Sequence, residues 1–253
     1  MADRLKGKVA VVTGGGSRGP GLGNGKATSI LFAREGAKVL VVDHMKERAE
    51  ETVGLIRGDG GTAEAFAADV TREADCAAMI AAAVSNWGGV DVLHNNVGIE
   101  SRHTLLDTTP DEWDNVMAVD AKSMFLATKA AVPAMEKRGG GSVICVSSVA
   151  ALRGHGRTAY AAAKAAVIGF VKTCAVQLGP KAIRVNAIAP GMVWTPMVSD
   201  LGEEQRERRR KASPLGTEGS GWDVAWGAVY LASDESRWVT GHTLIIDAGV
   251  TAR

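Results

Sequence analysis

Thr13-Gly14-Gly15-Gly16-Ser17-Arg18-Gly19-Pro20-Gly21-Leu22-Gly23-Asn24-Gly25 lies between two segments of different periodicity. Residues 8–13 form a short apolar run that reads as a buried strand. The stretch from about 25 to 35 reads as a helix, and residues 38–42 as a second apolar strand. Together they make a strand-helix-strand unit with a glycine-rich turn at its first joint. Glycines at that joint let the backbone turn sharply and approach a pyrophosphate, whose charge is favoured by the exposed N–H groups at the helix start. Elsewhere the same cluster would be only a flexible turn. In this position it predicts dinucleotide binding, with Gly14, Ser17 and Asn24 as the phosphate-side contacts.

The alternation continues along the chain. A helix is expected over about 45–57, a strand near 62–66, a helix over 73–87 and a strand over 90–94. Thr109-Pro110-Asp111-Glu112 resembles a capping box and should start a long helix running toward Met135. Then come a strand (142–146), a helix (158–178), a strand (183–188), a helix (223–231) and a last strand (243–246). The strands are continuously apolar, as strands covered on both faces are. The pattern predicts an α/β fold: one Rossmann-like domain over residues 1–253, with a doubly wound parallel sheet and helices on both faces.

Composition agrees with this. The chain has 253 residues, 46% of them hydrophobic, enough for a full core in one domain; 31 glycines suit tight strand-to-helix turns. With 29 basic and 28 acidic residues the formal charge is +1, so no overall field points to nucleic acid or an anionic membrane. Cys76, Cys145 and Cys174 are odd in number and widely spaced, which disfavours a disulfide scaffold or a structural zinc site. No secretory apolar stretch opens the chain and the apolar runs read as too short and interrupted for a membrane span, so a cytoplasmic location is expected.

The ends of the strands carry the polar residues. Val41-Val42-Asp43 closes the second strand with a carboxylate that can accept hydrogen bonds from both adenosine ribose hydroxyls and would repel a 2′-phosphate, which favours NAD over NADP. Arg18 and His44 argue the other way. Asp69-Val70 follows the third strand, where the carboxylate can sit beside adenine or cap a helix. In Asn95-Asn96-Val97-Gly98, after the fourth strand, Asn95, Val97 and Gly98 are assigned to the cofactor and Asn96 to structure. Further on, Tyr160 and Lys164 stand four residues apart and share one helix face. A phenol held beside an ammonium is suited to exchanging a proton with an alcohol or ketone.

Taken together, these motifs resemble the classical short-chain dehydrogenase/reductase family over residues 5–250. The match is carried by the glycine loop, Asn95-Asn96-Val97-Gly98, the serines after the fifth strand, Tyr160-x-x-x-Lys164, and Pro190-Gly191 with Thr195. The resemblance implies a seven-stranded parallel sheet and assembly as a homotetramer or a dimer. It implies Tyr160 as acid/base, Lys164 as the group that contacts the nicotinamide ribose and favours the phenolate, and a serine that orients the substrate oxygen. Pro190, Gly191 and Thr195 would border the nicotinamide, with Val193 meeting its amide through the backbone.

Three departures from the family pattern stand out. Residues 18–22 look inserted into the glycine loop. Asp120, in Ala118-Val119-Asp120-Ala121-Lys122, replaces the Asn that the family uses to hold a helix bend and a water on the lysine; as a carboxylate it can bind Lys164 tightly but cannot donate an amide proton. Two serines compete for the catalytic position. Ser147 lies at the familiar interval of thirteen residues before Tyr160, whereas Ser148 better opens the Ser-Val-Ala-Ala segment if the following loop is one residue shorter, and Ser148 is chosen.

Residues 192–215 read as a substrate lid, in which Met192, Trp194, Met197 and Val198 offer an apolar wall for a nonpolar or aromatic substrate portion. The charged run over 203–211 reads as a solvated helix laced by Glu204–Arg208 and Glu207–Lys211 pairs, not as a nucleic-acid surface. His44, His94, His103, His155 and His242 lack metal-ligand spacing, so metal-free chemistry is expected. The resulting expectation is an NAD-dependent oxidoreductase acting on a small-molecule alcohol or ketone. An NADPH-dependent carbonyl reductase and a catalytically weak dinucleotide sensor are the alternatives, the second suggested by Asp120 and the enlarged loop.

Overall fold

The computed structural model describes residues 3–19 and 21–252. Pro20, inside the expected insertion, lies outside the described residues. Seven strands form one parallel sheet: β1 (Val9–Thr13), β2 (Lys38–Asp43), β3 (Thr62–Ala67), β4 (Val92–Asn95), β5 (Gly141–Val146), β6 (Ile183–Pro190) and β7 (Thr243–Ile246). Their order is β3-β2-β1-β4-β5-β6-β7. The chain therefore builds outward from β1 in one direction, returns, and builds from β4 in the other. The crevice at this reversal, beyond the strands' carboxyl ends, is where such sheets bind ligands.

The helices are α1 (Asn24–Arg34), α2 (Lys46–Gly58), α3 (Glu73–Trp87), α4 (Pro110–Met117), α5 (Ser123–Lys137), α6 (Thr158–Leu178), α7 (Gly202–Ala212) and α8 (Gly221–Ala232). Strand alternation divides the core into two layers. Val11, Leu40, Leu93, Val143 and Val185 face α3, α5 and α6. Their neighbours Ala10, Val12, Val39, Val41, Val92 and Ile144 face α1, α2 and α8. Both faces are covered, which is why the strands lack the polar alternation of half-exposed ones.

Several local details differ from the sequence reading. Thr109 caps α4 by accepting from the Glu112 N–H at 3.2 Å, but the Glu112 carboxylate turns to His103 Nδ1 at 2.6 Å, so only half of the capping box forms. The complete box belongs to α8, where Ser220 and Asp223 cap each other, and that helix starts earlier than expected. The long helix expected from Thr109 is interrupted by a π-turn over Ala118–Lys122. Finally, Thr158–Lys181, α6 and the turn after it, is long and apolar enough to cross a membrane by length and composition, contrary to the expectation. It is apolar on more than one side: Ala163, Val167 and Val171 are buried, while Val176 lies 80% exposed.

Candidate active site

The glycine loop is shaped by contacts that admit no side chain. Gly14 sits at φ +63°, and a Cβ on Gly25 would lie 2.0 Å from the Gly14 carbonyl, so the first turn of α1 rests directly on the strand exit. A Cβ on Gly16 would collide with Arg48 and with the Asp43 carboxylate. Asn96 fastens the loop from the other side, its Nδ2 donating to the Gly14 carbonyl at 3.1 Å and its backbone N–H to Thr13 Oγ1 at 3.2 Å. Ser17 Oγ and Asn24 Oδ1 are buried at this loop without a hydrogen-bond partner among the described residues. Such groups are costly unless a ligand completes them, and together with the glycine cradle they fit a dinucleotide's phosphates.

A cleft of about 670 Å³ runs from this loop across the strand ends. Asp43, 8% exposed, closes β2 at one end: its Oδ2 accepts from the Gly16 N–H at 3.2 Å and its Oδ1 from the Met45 N–H at 3.1 Å. Arg18 is directed elsewhere, with Nη2 3.4 Å from the Gly98 carbonyl. Asp69 and Val70 also line the cleft, but Asp69 does not cap α3. It binds Thr71, through N–H at 3.0 Å and hydroxyl at 2.6 Å, and these bonds lower its carboxyl below the usual range. Val97, Gly98, Pro190, Gly191 and Thr195 complete the wall. Gly191 is obligatory there, since a Cβ would lie 2.6 Å from the Asp247 backbone.

One cofactor-side expectation changes. Asn95 does not line the cleft: it is the last residue of β4, and strand alternation turns its Nδ2 inward to Thr128 Oγ1 at 3.1 Å and Cys145 Sγ at 3.6 Å. Asn96, one step beyond the strand, takes the cleft position instead. Val193 lines the cleft, yet both of its backbone groups are engaged, the N–H with the Gly191 carbonyl at 2.9 Å and the carbonyl with Arg209 Nη2 at 3.1 Å.

The catalytic candidates meet at the middle of the cleft. Tyr160 and Lys164 share one face of α6, with Lys164 Nζ 5.7 Å from the centre of the phenol ring. Lys164 Nζ donates to the Val146 carbonyl at 3.2 Å and pairs with Asp120 Oδ2 at 3.1 Å. Asp120 is fully buried within the π-turn, and its Oδ1 accepts from the Ile99 N–H at 2.8 Å. The widened turn thus aims a carboxylate inward at the lysine. Burial pulls the Lys164 ammonium down, but the Asp120 charge, followed by Tyr160 and the Asp120 hydrogen bond, outweighs it and holds Lys164 above the ordinary lysine value. Gly98 makes room for the pair, since a Cβ there would lie 3.0 Å from Nζ.

The two serines differ in what their hydroxyls do. Ser147 is buried and donates to the Lys164 carbonyl at 2.7 Å, which ties α6 to β5. Ser148 borders the cleft and accepts from the Ala150 N–H at 3.1 Å; its proton has no acceptor among the described residues.

At the substrate end, Met192 and Met197 line the cleft but Trp194 does not. Its ring lies under the Arg206 guanidinium, 5.0 Å away, and its backbone N–H donates to the Gly219 carbonyl. Residues 192–215 contain α7, whose Glu207 pairs with Arg210 at 2.8 Å and Lys211 at 3.4 Å; the expected Glu204–Arg208 pair is absent among the described residues. Sequence reasoning missed the arginines here. Arg153, His155, Arg157 and Arg209 all border the cleft. Burial, and then Arg153, lower the His155 imidazole below its ordinary value. Among the described residues no three His, Cys, Asp or Glu side chains group to hold a metal ion.

Comparison with known proteins accounts for this arrangement. Residues 21–251 match a family model described as enoyl-(acyl carrier protein) reductase. The chain is 42% identical over 248 residues to a 3-oxoacyl-acyl-carrier-protein reductase of Thermotoga maritima, covering 98% of this chain and 99% of that protein. It is 39% identical over 250 residues to a 2,5-dichloro-2,5-cyclohexadiene-1,4-diol dehydrogenase of Sphingobium indicum, covering 98% of each. A crystal structure of a short-chain dehydrogenase/reductase from Burkholderia xenovorans superposes with a TM-score of 0.94 at 38% identity, covering 99% of this chain and 98% of that one. With its glycine loop, its seven-stranded parallel sheet and its Tyr160–Lys164 helix, the chain belongs to the short-chain dehydrogenase/reductase family, whose members interconvert alcohols and ketones with a dinucleotide cofactor.

Proposed function

We propose that the protein is an NAD-dependent oxidoreductase that interconverts a secondary alcohol and a ketone. The observation that carries this reading is the convergence of Ser148, Tyr160 and Lys164 on the cleft that the glycine loop also borders. Asp43 supports NAD: its carboxylate is held at the end of β2 by two backbone N–H groups, where a 2′-phosphate would meet like charge, and Arg18 is directed away to Gly98. His44 and Arg48 beside Asp43 favour the second reading, an NADPH-dependent reductase.

Bound nicotinamide supplies the hydride acceptor or donor. The chain's own residues handle the oxygen and its proton. In oxidation Tyr160 takes the hydroxyl proton while Ser148 donates a hydrogen bond to the same oxygen; in reduction Tyr160 gives the proton back. Lys164, kept charged by Asp120, stabilises the negative form of the phenol and holds the ribose. Asp120 acts through Lys164 and is therefore a positioning residue. Met192 and Met197 offer the apolar contact for the substrate, and residues 192–215 cover it.

The protein works as a homotetramer or dimer in the cytoplasm. Exposed apolar side chains support assembly, Phe125 on α5 and Val176 on α6, Trp226 on α8 and Ile245 on β7. The test is a screen of secondary alcohols and ketones with both cofactors, followed by nicotinamide absorbance. Turnover with NAD(H) above NADP(H) is expected; a preference for NADP(H) overturns the role given to Asp43, and no turnover across the panel overturns the catalytic reading.

A further inference from the structure

The substrate end of the cleft carries more positive charge than its own carboxylates neutralise. Arg157 shares Glu100 with Arg102. Glu218 has both oxygens taken by Arg206, at 2.7 and 2.6 Å. Asp247 is occupied by Gly249 and Thr251. Arg209, on α7, consequently has no ion-pair partner among the described residues. It donates to the Val193 carbonyl at 3.1 Å, and its Nε is buried with no acceptor among the described residues.

A half-buried guanidinium whose Nε is closed off from water and unbonded is costly unless something completes it. The group facing it is the cleft itself. Burial, then the Arg157 charge, lower Arg209 from the ordinary arginine value, while Glu218 and then Tyr160 oppose them, so Arg209 lies within electrostatic reach of both Arg157 and the proposed proton donor. Arg153 borders the same cleft, also without an ion pair among the described residues. A planar fork with free donors matches an oxyanion group, which would satisfy Nε and balance the excess charge together.

We propose that Arg209 is a specificity-determining residue that binds an oxyanion on the substrate, so that the alcohol or ketone carries a carboxylate or sulfonate near the reacting carbon, with its apolar segment along Met192 and Met197. The identity of the reacting carbon rests on the oxidoreductase reading; the anion contact does not. Arg209 would leave the Val193 carbonyl, or share it, as the ligand enters.

The test compares methyl ketones bearing a terminal carboxylate with their methyl esters, and the matching sulfonates with their sulfonamides, in the wild type, Arg209→Met and Arg209→Lys. The wild type should favour the anion in kcat/KM by roughly ten- to hundredfold, the range of a charge-assisted hydrogen bond. Arg209→Met should collapse that ratio through KM, and Arg209→Lys should leave an intermediate ratio because it keeps charge but loses the fork. The better of carboxylate and sulfonate identifies the group. In parallel, calorimetry of the cofactor-mixed protein with butanoate and butanamide should show binding of the carboxylate alone, lost in Arg209→Met. If no ketone turns over yet butanoate binding depends on Arg209, the oxidoreductase reading falls and the anion site stands. Equal ratios in wild type and variants, or butanoate binding that ignores Arg209, overturn the proposal. If Arg209→Met does not fold, the wild-type ratio and Arg209→Lys decide the matter.

Discussion

Replacing Lys164 by Met tests the buried pair at the centre of the site. Lys164 is 3% exposed and Asp120 not exposed at all, with 3.1 Å between Nζ and Oδ2. Removing one member of such a pair strands the other charge in the interior, at a cost of about 3–5 kcal/mol. For a chain of this length, that corresponds to a fall in Tm of roughly 6–20 °C. The double variant Lys164→Met/Asp120→Asn keeps an acceptor for the Ile99 N–H but carries no charge, so it should recover at least about 2 kcal/mol. Urea unfolding followed by tryptophan fluorescence, at one protein concentration, reads both values. A pH series adds a sign. Because Lys164 is held above the ordinary lysine value, its contribution is complete below that value and fades as pH climbs through the higher folded one; Lys164→Met should lack this alkaline loss. A single variant as stable as wild type, or a double variant no better than the single, would refute the pairing.

Asp43→Ala should lower the ratio of NAD to NADP efficiency at least about tenfold, as expected when a like-charge encounter with the 2′-phosphate is removed; parallel titrations of both cofactors measure it. Ser147→Ala should cost about 1–3 kcal/mol of stability, because the Lys164 carbonyl loses its buried donor, whereas Ser148→Ala should fold normally and lose turnover; kinetics and melting on the two variants separate them. Gly25→Ala should abolish cofactor binding by fluorescence titration, since its Cβ would sit 2.0 Å from the Gly14 carbonyl.

The elements most legible in the sequence were those whose ends are set by local chemistry. α3, α6 and β7 begin and end where the pattern places them, because strong periodicity or a short apolar run is bounded by polar or glycine residues. The π-turn at Ala118–Lys122 has no such mark. Only the family resemblance marked a helix bend at Asp120, and the carboxylate's pairing depends on Lys164, distant in sequence. Asn95 was assigned to the cleft because the choice depends on the last residue of β4, and a one-residue step reverses which side the amide faces. Trp194 and Arg209 illustrate the same limit on the lid. An aromatic in an apolar stretch read as pocket wall and an arginine in a charged run read as solvated, yet tertiary packing turned Trp194 onto Arg206 and Arg209 into the cleft.

The most direct measurement is Tyr160→Phe, compared with wild type in cofactor binding and in turnover of the same substrate. The account predicts unchanged cofactor affinity and a turnover reduced by about 10²–10⁴-fold, the contribution of a positioned acid/base. Turnover equal to wild type in a correctly folded, cofactor-binding Phe variant would contradict it.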